Sequence, residues 1–146
     1  MTAQAFHSGG CQCGAVRYQI AELGRATICH CRMCQKAFGS FFGPLVTAKG
    51  IEWTRGGPAT WASSNKVSRG FCAQCGTPLS YDYGGDLEIA IGTLDNPETA
   101  APVLQVNLAD RLSYFSTLHD LPARENPDAV NDFMASIVSH QHPDHD

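Results

Sequence analysis

Long apolar runs are missing from this 146-residue sequence. No stretch approaches the roughly 20 apolar residues that a bilayer-spanning helix needs, so no membrane role is expected. The opening MTAQAFHSGGC has neither a basic n-region nor an apolar h-region, so secretion is not expected and a cytoplasmic location is. Charge is sparse: Asp, Glu, Lys and Arg make up 16% of the chain, and the formal net charge is −4. A non-specific nucleic-acid binder needs a cationic surface, so no nucleic-acid partner is expected, and only Arg17, Arg32, Lys36 and Arg69 offer material for a local basic patch. Also absent are a glycine-rich phosphate loop, a dinucleotide-binding fingerprint and an internal repeat. Cysteine is absent after position 75.

What is present is a globular composition, 43% hydrophobic, of a length that suits one compact domain. Before position 76 the chain holds seven cysteines: Cys11, Cys13, Cys29, Cys31, Cys34, Cys72 and Cys75. An odd number cannot form a complete internal disulfide set, and several gaps are too short for easy disulfide geometry. In a reducing compartment such close pairs read as metal ligands. Residues i and i+2 of a strand share a face, so Cys11-Gln12-Cys13 can offer two sulfurs to one ion. Cys72-Ala73-Gln74-Cys75-Gly76 has the form of a zinc knuckle, in which Gly76 permits a tight exit with positive φ. Soft thiolates in a tetrahedron suit zinc.

Seven ligands do not fill two tetrahedral sites. One division is four plus three: Cys11, Cys13, Cys72 and Cys75 in a closed site, and Cys29, Cys31 and Cys34 in a site with one position open. Closed four-cysteine sites are structural, and three-ligand sites with an exchangeable position are the catalytic pattern. A second division pairs Cys31 and Cys34 with Cys72 and Cys75 in a zinc ribbon and leaves Cys11, Cys13 and Cys29 over. Spacing alone leaves both open.

Elsewhere the pattern is of short strands and frequent turns, which predicts an antiparallel β domain. Residues 15–20 alternate, with Val16, Tyr18 and Ile20 on one face. The segment 21–25 contains Gly24 and reads as a turn, and 26–29 as a short strand. Residues 35–38 suit one or two helical turns. Further strands are expected at 41–47, 51–54, 60–62, 67–71, 79–83, 87–91 and 103–106, with Gly84-Gly85 as a hairpin turn. Phe38, Phe41 and Phe42 read as core. Asn126-Pro127-Asp128 has the form of a helix start, with Asn126 as cap. Ala129, Val130, Phe133, Met134, Ile137 and Val138 recur at helical spacing for about three turns. The tail with His140, His142 and His145 reads as a solvated, frayed terminus.

Three segments together resemble the glutathione-dependent formaldehyde-activating enzyme family, also called the CENP-V/GFA domain. They are Gly9-Gly10-Cys11-Gln12-Cys13-Gly14-Ala15-Val16, Cys29-His30-Cys31-Arg32-Met33-Cys34-Gln35-Lys36-Ala37 and Phe71-Cys72-Ala73-Gln74-Cys75-Gly76-Thr77-Pro78-Leu79. Ile91-Gly92-Thr93-Leu94-Asp95 and Asp120-Leu121-Pro122 fit the same family. The resemblance implies a β-tent of small antiparallel sheets organised around zinc, over residues 6–122, followed by a C-terminal helix and His-containing tail at 123–146. It implies two zinc sites: a structural one at Cys11, Cys13, Cys72 and Cys75, and a catalytic one at Cys29, Cys31 and Cys34, the latter expected to hold its ion less completely. It implies a carbon–sulfur lyase acting on a thiol adduct, of the type that interconverts S-hydroxymethylglutathione with glutathione and formaldehyde. Gln105 and Tyr114 stand where many members carry His and Trp.

Zinc with three thiolates is a weak Lewis acid toward water but suits a thiol as fourth ligand. His30 is the nearest titratable side chain, yet in an extended segment it points away from Cys29 and Cys31, which makes it structural. Arg32 and Lys36 are candidates to offset thiolate charge or to meet a substrate carboxylate. The alternative to a lyase is a non-catalytic, zinc-stabilised protein-binding module.

Overall fold

The computed structural model describes residues 5–146. Eight strands form one curled, mainly antiparallel sheet. They are β1 (His7–Gly10), β2 (Arg17–Cys29), β3 (Gly43–Arg55), β4 (Ala59–Ala62), β5 (Ser68–Phe71), β6 (Pro78–Asp82), β7 (Leu87–Ala90) and β8 (Leu104–Val106). Their order is β1-β2-β3-β7-β6-β5-β4, and β8 pairs with the far end of β2. Two helices interrupt the strands' dominance: α1 (Arg32–Phe38), directly after β2, and α2 (Asp128–Ser136) near the C-terminus. No described helix is long and apolar enough to cross a membrane.

The alternation at 15–20 puts Val16, Tyr18 and Ile20 in the core, and the latter two are fully buried alongside Val46, Leu79 and Ile89. Each such aliphatic side chain contributes about 1.5–3 kcal/mol by leaving water. The Tyr18 ring meets Trp53 edge-on at 5.8 Å, and its hydroxyl lies 2.8 Å from Thr93 Oγ1. Arg17 is buried as well, because its guanidinium forms a fork on the Asp95 carboxylate at 2.9 and 2.6 Å. Ser8 donates to the same carboxylate at 2.6 Å. Arg17 therefore belongs to no surface basic patch.

Several expected breaks are absent. The turn expected at 21–25 is a register shift between Leu23 and Ala26 inside one 13-residue strand, β2. The strands expected at 41–47 and 51–54 are one strand, β3, because both halves pair with β2. Backbone pairing between two long neighbours overrides local turn chemistry here. β8 runs parallel to β2 (Thr27↔Leu104 to Cys29↔Val106), against the antiparallel expectation.

Phe38, Phe41 and Phe42 lie outside the buried core. Phe41 is exposed, and Phe41 and Phe42 pack edge-on against Tyr114 and Phe115. Pro127, in an extended conformation, caps α2 in place of Asn126. The helix stops at Ser136, so Ile137 and Val138 lie beyond it, and none of its residues is buried. The tail is docked, not frayed. His142 N–H donates to the Gln12 carbonyl at 2.7 Å, and Asp146 accepts from Arg17 at 2.8 Å.

Candidate metal centres

The seven sulfurs gather as a four and a three. Cys11, Cys13, Cys72 and Cys75 lie within 4.8 Å of one another, and so do Cys29, Cys31 and Cys34. The ribbon grouping of Cys31 and Cys34 with Cys72 and Cys75 does not occur.

The four-cysteine group is made by two similar turns. One links β1 to β2, and the other links β5 to β6. In the first, Cys11 N–H donates to the Val16 carbonyl at 3.0 Å, and Gly14 N–H to the Cys11 carbonyl at 3.2 Å. In the second, Cys72 N–H donates to the Thr77 carbonyl at 3.0 Å, and Gly76 N–H to the Cys72 carbonyl at 2.9 Å. Gly14 and Gly76 both have φ +78°, the left-handed region that glycine enters without a Cβ clash. Thr77 ties the turns together: its hydroxyl accepts from Gln12 N–H at 3.1 Å and lies 3.2 Å from Cys75 Sγ. Burial would raise the Cys75 thiol, but the Thr77 contacts outweigh it and bring Cys75 down to about 6. The Cys11–Cys13 and Cys13–Cys72 sulfur distances are 3.6 and 3.8 Å. Four sulfurs at about 2.3 Å from one tetrahedral ion would stand about 3.8 Å apart, close to both of these distances, so this donor set fits a metal. The docked tail passes the group, and Ile137–Gln141 form a shallow cleft with Cys13 and Cys75.

The three-cysteine group uses different parts. Cys29 ends β2, Cys31 caps α1 by accepting from Cys34 N–H at 3.4 Å, and Cys34 lies in the first turn of α1. The helix starts three residues before the expected 35–38 because Cys31 caps it. Cys29 and Cys31 sulfurs are 3.4 Å apart. No fourth His, Cys, Asp or Glu joins this group among the described residues.

Two side chains donate to these sulfurs: Asn107, which the sequence did not point to, and Arg69, which it offered only for a basic patch. Asn107 Nδ2 reaches Cys29 Sγ at 3.1 Å, and Arg69 Nη2 reaches Cys34 Sγ at 3.4 Å. Asn107 is the only described non-glycine residue with positive φ (56°). That conformation costs an L-residue about 1–2 kcal/mol, least for Asn, and strain of this kind collects at functional sites. The one available signal was an Asn directly after β8. Burial holds the Cys34 thiol up at about 12 against the pull of Arg69, with the Cys29 charge adding to the rise. For Cys29 burial is outweighed by hydrogen bonds from Asn107 and the Cys31 backbone, and its thiol is lowered.

His30, between two of the cysteines, is fully buried. Its Nε2 lies 3.0 Å from Gln105 Oε1 and its ring meets Phe115 at 4.6 Å. Gln35 Nε2 bridges the His30 and Asp110 carbonyls at 2.8 and 3.0 Å, fastening α1 to the segment after β8. Arg32 bonds Gln35 and no sulfur. Arg69 and α1 also line an open groove of about 610 Å³, between the helix and the edge hairpin β4–β5.

The fold is shared with a solved structure. A crystal structure of a Rhodobacter sphaeroides protein, a structural-genomics target, matches with a TM-score of 0.53 over 68% of this chain and 99% of that one, at 21% identity. Residues 6–110 match the family model described as glutathione-dependent formaldehyde-activating enzyme, so the match spans β1 to the turn after β8 and includes all seven cysteines. This chain belongs to the glutathione-dependent formaldehyde-activating enzyme family.

Proposed function

We propose that the chain is a zinc-dependent carbon–sulfur lyase acting on a thiol adduct of the S-hydroxymethylglutathione type. Its working unit is the β domain at 6–122, and its setting is the cytoplasm, where thiols stay reduced. One observation carries the reading: three cysteine sulfurs converge with no fourth His, Cys, Asp or Glu among the described residues, while the other four form a complete set. In this reading Cys11, Cys13, Cys72 and Cys75 hold a structural zinc, and Cys29, Cys31 and Cys34 hold a catalytic one. All seven donors are soft sulfurs, which select zinc over hard cations.

Zinc at the three-cysteine site would favour the thiolate form of a substrate sulfur near neutral pH. The chain's own residues do the rest. Asn107 and Arg69 donate to Cys29 and Cys34 and offset the charge that three thiolates concentrate there. In the lyase direction R–S–CH₂OH gives R–SH and CH₂=O. The C–S electron pair goes to sulfur, the hydroxyl proton leaves oxygen as the carbonyl forms, and sulfur takes up a proton. His30 Nε2 is held by Gln105 and its ring by Phe115, while its buried Nδ1 has no hydrogen-bond partner among the described residues. The groove beside Arg69 is lined by no carboxylate and no imidazole. In this reading the hydroxyl proton passes to water, and turnover should rise with buffer-base concentration at fixed pH; turnover indifferent to buffer and lost in His30→Gln would assign the proton to His30 Nδ1 instead.

The test is exchange among glutathione, formaldehyde and their adduct, followed by NMR on protein with measured zinc content. Catalysed exchange that Cys31→Ser abolishes is expected. Fully metallated protein that leaves the uncatalysed rate unchanged with glutathione and with 2-mercapto-3-phenylpropionate alike would overturn the reading. A protein-binding role has one observation in its favour: Phe133 and Met134 on α2, with Ile137 and Val138 after it, are all exposed. A concentration-dependent oligomer lost in Phe133→Ser would support it.

A further inference from the structure

The groove between α1 and the β4–β5 hairpin combines an apolar wall with charge of one sign. Trp61, on the edge strand, is 65% exposed, Met33 is 58% exposed, and Phe71 and Phe38 complete the apolar wall. Its charged lining residues are Lys36 and Arg69; no Asp or Glu lines it, although the chain carries a net charge of −4. Neither cation forms a salt bridge among the described residues. The volume of about 610 Å³ lies in the ordinary range for small-molecule sites. Arg69 joins the groove to the three-cysteine group, since its guanidinium lies over the Tyr81 ring at 5.0 Å and reaches Cys34 Sγ.

Exposed aromatic and thioether surface beside Lys36, with Arg69 held by Ser63, Tyr81 and Cys34 at the inner end, fits a ligand with a hydrocarbon body and an anionic end. Glutathione matches it poorly: it is a hydrophilic peptide whose ammonium would meet no carboxylate here. We propose that this groove binds the organic part of a hydrophobic acidic thiol, an aryl- or branched-alkyl-bearing mercapto acid. Its carboxylate meets Lys36 and Arg69, and its hydrocarbon lies on Trp61, Phe71 and Met33. The proposal rests on the lyase reading for what happens at sulfur, and it names the substrate class that reading leaves general. The bond changes are those of the lyase step, with this thiol as R–SH and the C–S pair returning to its sulfur.

The groove can be tested apart from catalysis with sulfur-free probes. Calorimetric titration of the zinc-loaded full chain should show saturable binding of 3-phenylpropionate. The neutral 3-phenylpropanol should bind about tenfold more weakly, on the scale of one charged hydrogen bond. Trp61→Ala should weaken 3-phenylpropionate binding about fivefold or more, from lost aromatic contact. Lys36→Gln should weaken the acid and leave the alcohol unchanged. In turnover, the formaldehyde adduct of 2-mercapto-3-phenylpropionate should exceed that of 3-mercaptopropionate in kcat/KM. No saturable heat, equal affinity for acid and alcohol, or affinity indifferent to Trp61→Ala overturns the proposal. A chain that binds 3-phenylpropionate as described but cleaves no adduct keeps the groove and loses the lyase reading. One that cleaves S-hydroxymethylglutathione and ignores 3-phenylpropionate keeps the lyase reading and loses the groove.

Discussion

The four-cysteine and three-cysteine groups sit in one small sheet but are built in opposite ways. The four is held by backbone: two tight turns, each with a left-handed glycine after its last cysteine, and one threonine linking them. The three is held by side chains from remote parts of the chain, Asn107 beyond β8 and Arg69 on β5, acting on a strand end and a helix cap. Turn geometry defined by local backbone hydrogen bonds can form wherever the turn forms. A site that depends on Asn107 and Arg69 exists only once the whole sheet is assembled, and each donor can be removed without dismantling the ligands.

The largest effect that would break this contrast comes from the ligands themselves. On the proposed zinc assignment, Cys72→Ser should abolish cooperative unfolding and lower zinc content, because a structural zinc contributes about 10–16 kcal/mol of apparent binding free energy to folding. Cys31→Ser should lose one zinc and leave a cooperative thermal transition. Equal unfolding in both, followed by circular dichroism with metal analysis, would erase the distinction between the sites.

Next in size is the Arg17–Asp95 pair, which locks β2 to the turn after β7 and shares a small cavity with Cys11 and Thr77 of the four-cysteine group. Burial opposes the Asp95 charge, but the hydrogen bonds from Arg17 and Ser8 outweigh it and hold the carboxyl below its ordinary value. A lowered folded-state pKa gives stability that is present above the unfolded value near 3.9 and is lost as pH falls through the folded value. Asp95→Asn should cost about 3 kcal/mol at pH 7, the low end for breaking a buried pair, since Asp146 still meets Arg17. The difference from wild type should shrink below pH 4, as read by chemical denaturation across pH.

Asn107 separates donor from strain. Asn107→Gly removes the amide from Cys29 and relieves the positive φ, so folding stability should stay within about 1 kcal/mol while metal affinity at the three-cysteine group falls roughly tenfold. Chelator competition, with Asn107→Ala as the strained comparison, measures it. If four-cysteine affinity falls equally, the two groups are not independently supported.

The smallest expected effect is on proton release. With the Cys34 thiol held up at about 12, metal uptake at the three-cysteine group must displace its proton, so affinity falls as pH is lowered. The four-cysteine group also holds a raised thiol, Cys13 at about 12, beside Cys75 at about 6, and has one more thiol to deprotonate, so its affinity should depend on pH at least as steeply. Chelator titrations at several pH values would show the two slopes.

Much of the site was legible because its chemistry is carried by residue type and short spacing. Cys72 to Gly76 announces its turn and its ligands together; Cys11-Gln12-Cys13 announces the ligands, but the strand geometry read for it is a turn between β1 and β2 in the structure. What was not legible came from long-range pairing. Gly24 reads as a turn, yet it sits in a continuous β2 because β3 pairs on both sides of it. Phe38, Phe41 and Phe42 read as core from their apolarity alone, but Phe38 ends α1 beside the groove, and Phe41 and Phe42 pack on Tyr114 and Phe115 from the segment after β8. The tail's histidines read as frayed because nothing local holds them. Gln12 and Arg17, more than 120 positions away, do.

The sequence by itself determined the ligand inventory, the soft-metal chemistry and the β-rich character, all properties of composition and near-neighbour order. Only the tertiary structure decided that seven sulfurs divide as four and three, which donors touch them, and where an apolar, cationic groove opens beside them. Those outcomes depend on which strands become neighbours. That is set by burial of Tyr18, Ile20, Val46, Leu79 and Ile89 summed over the whole sheet, a cooperative term that no short window of residues contains.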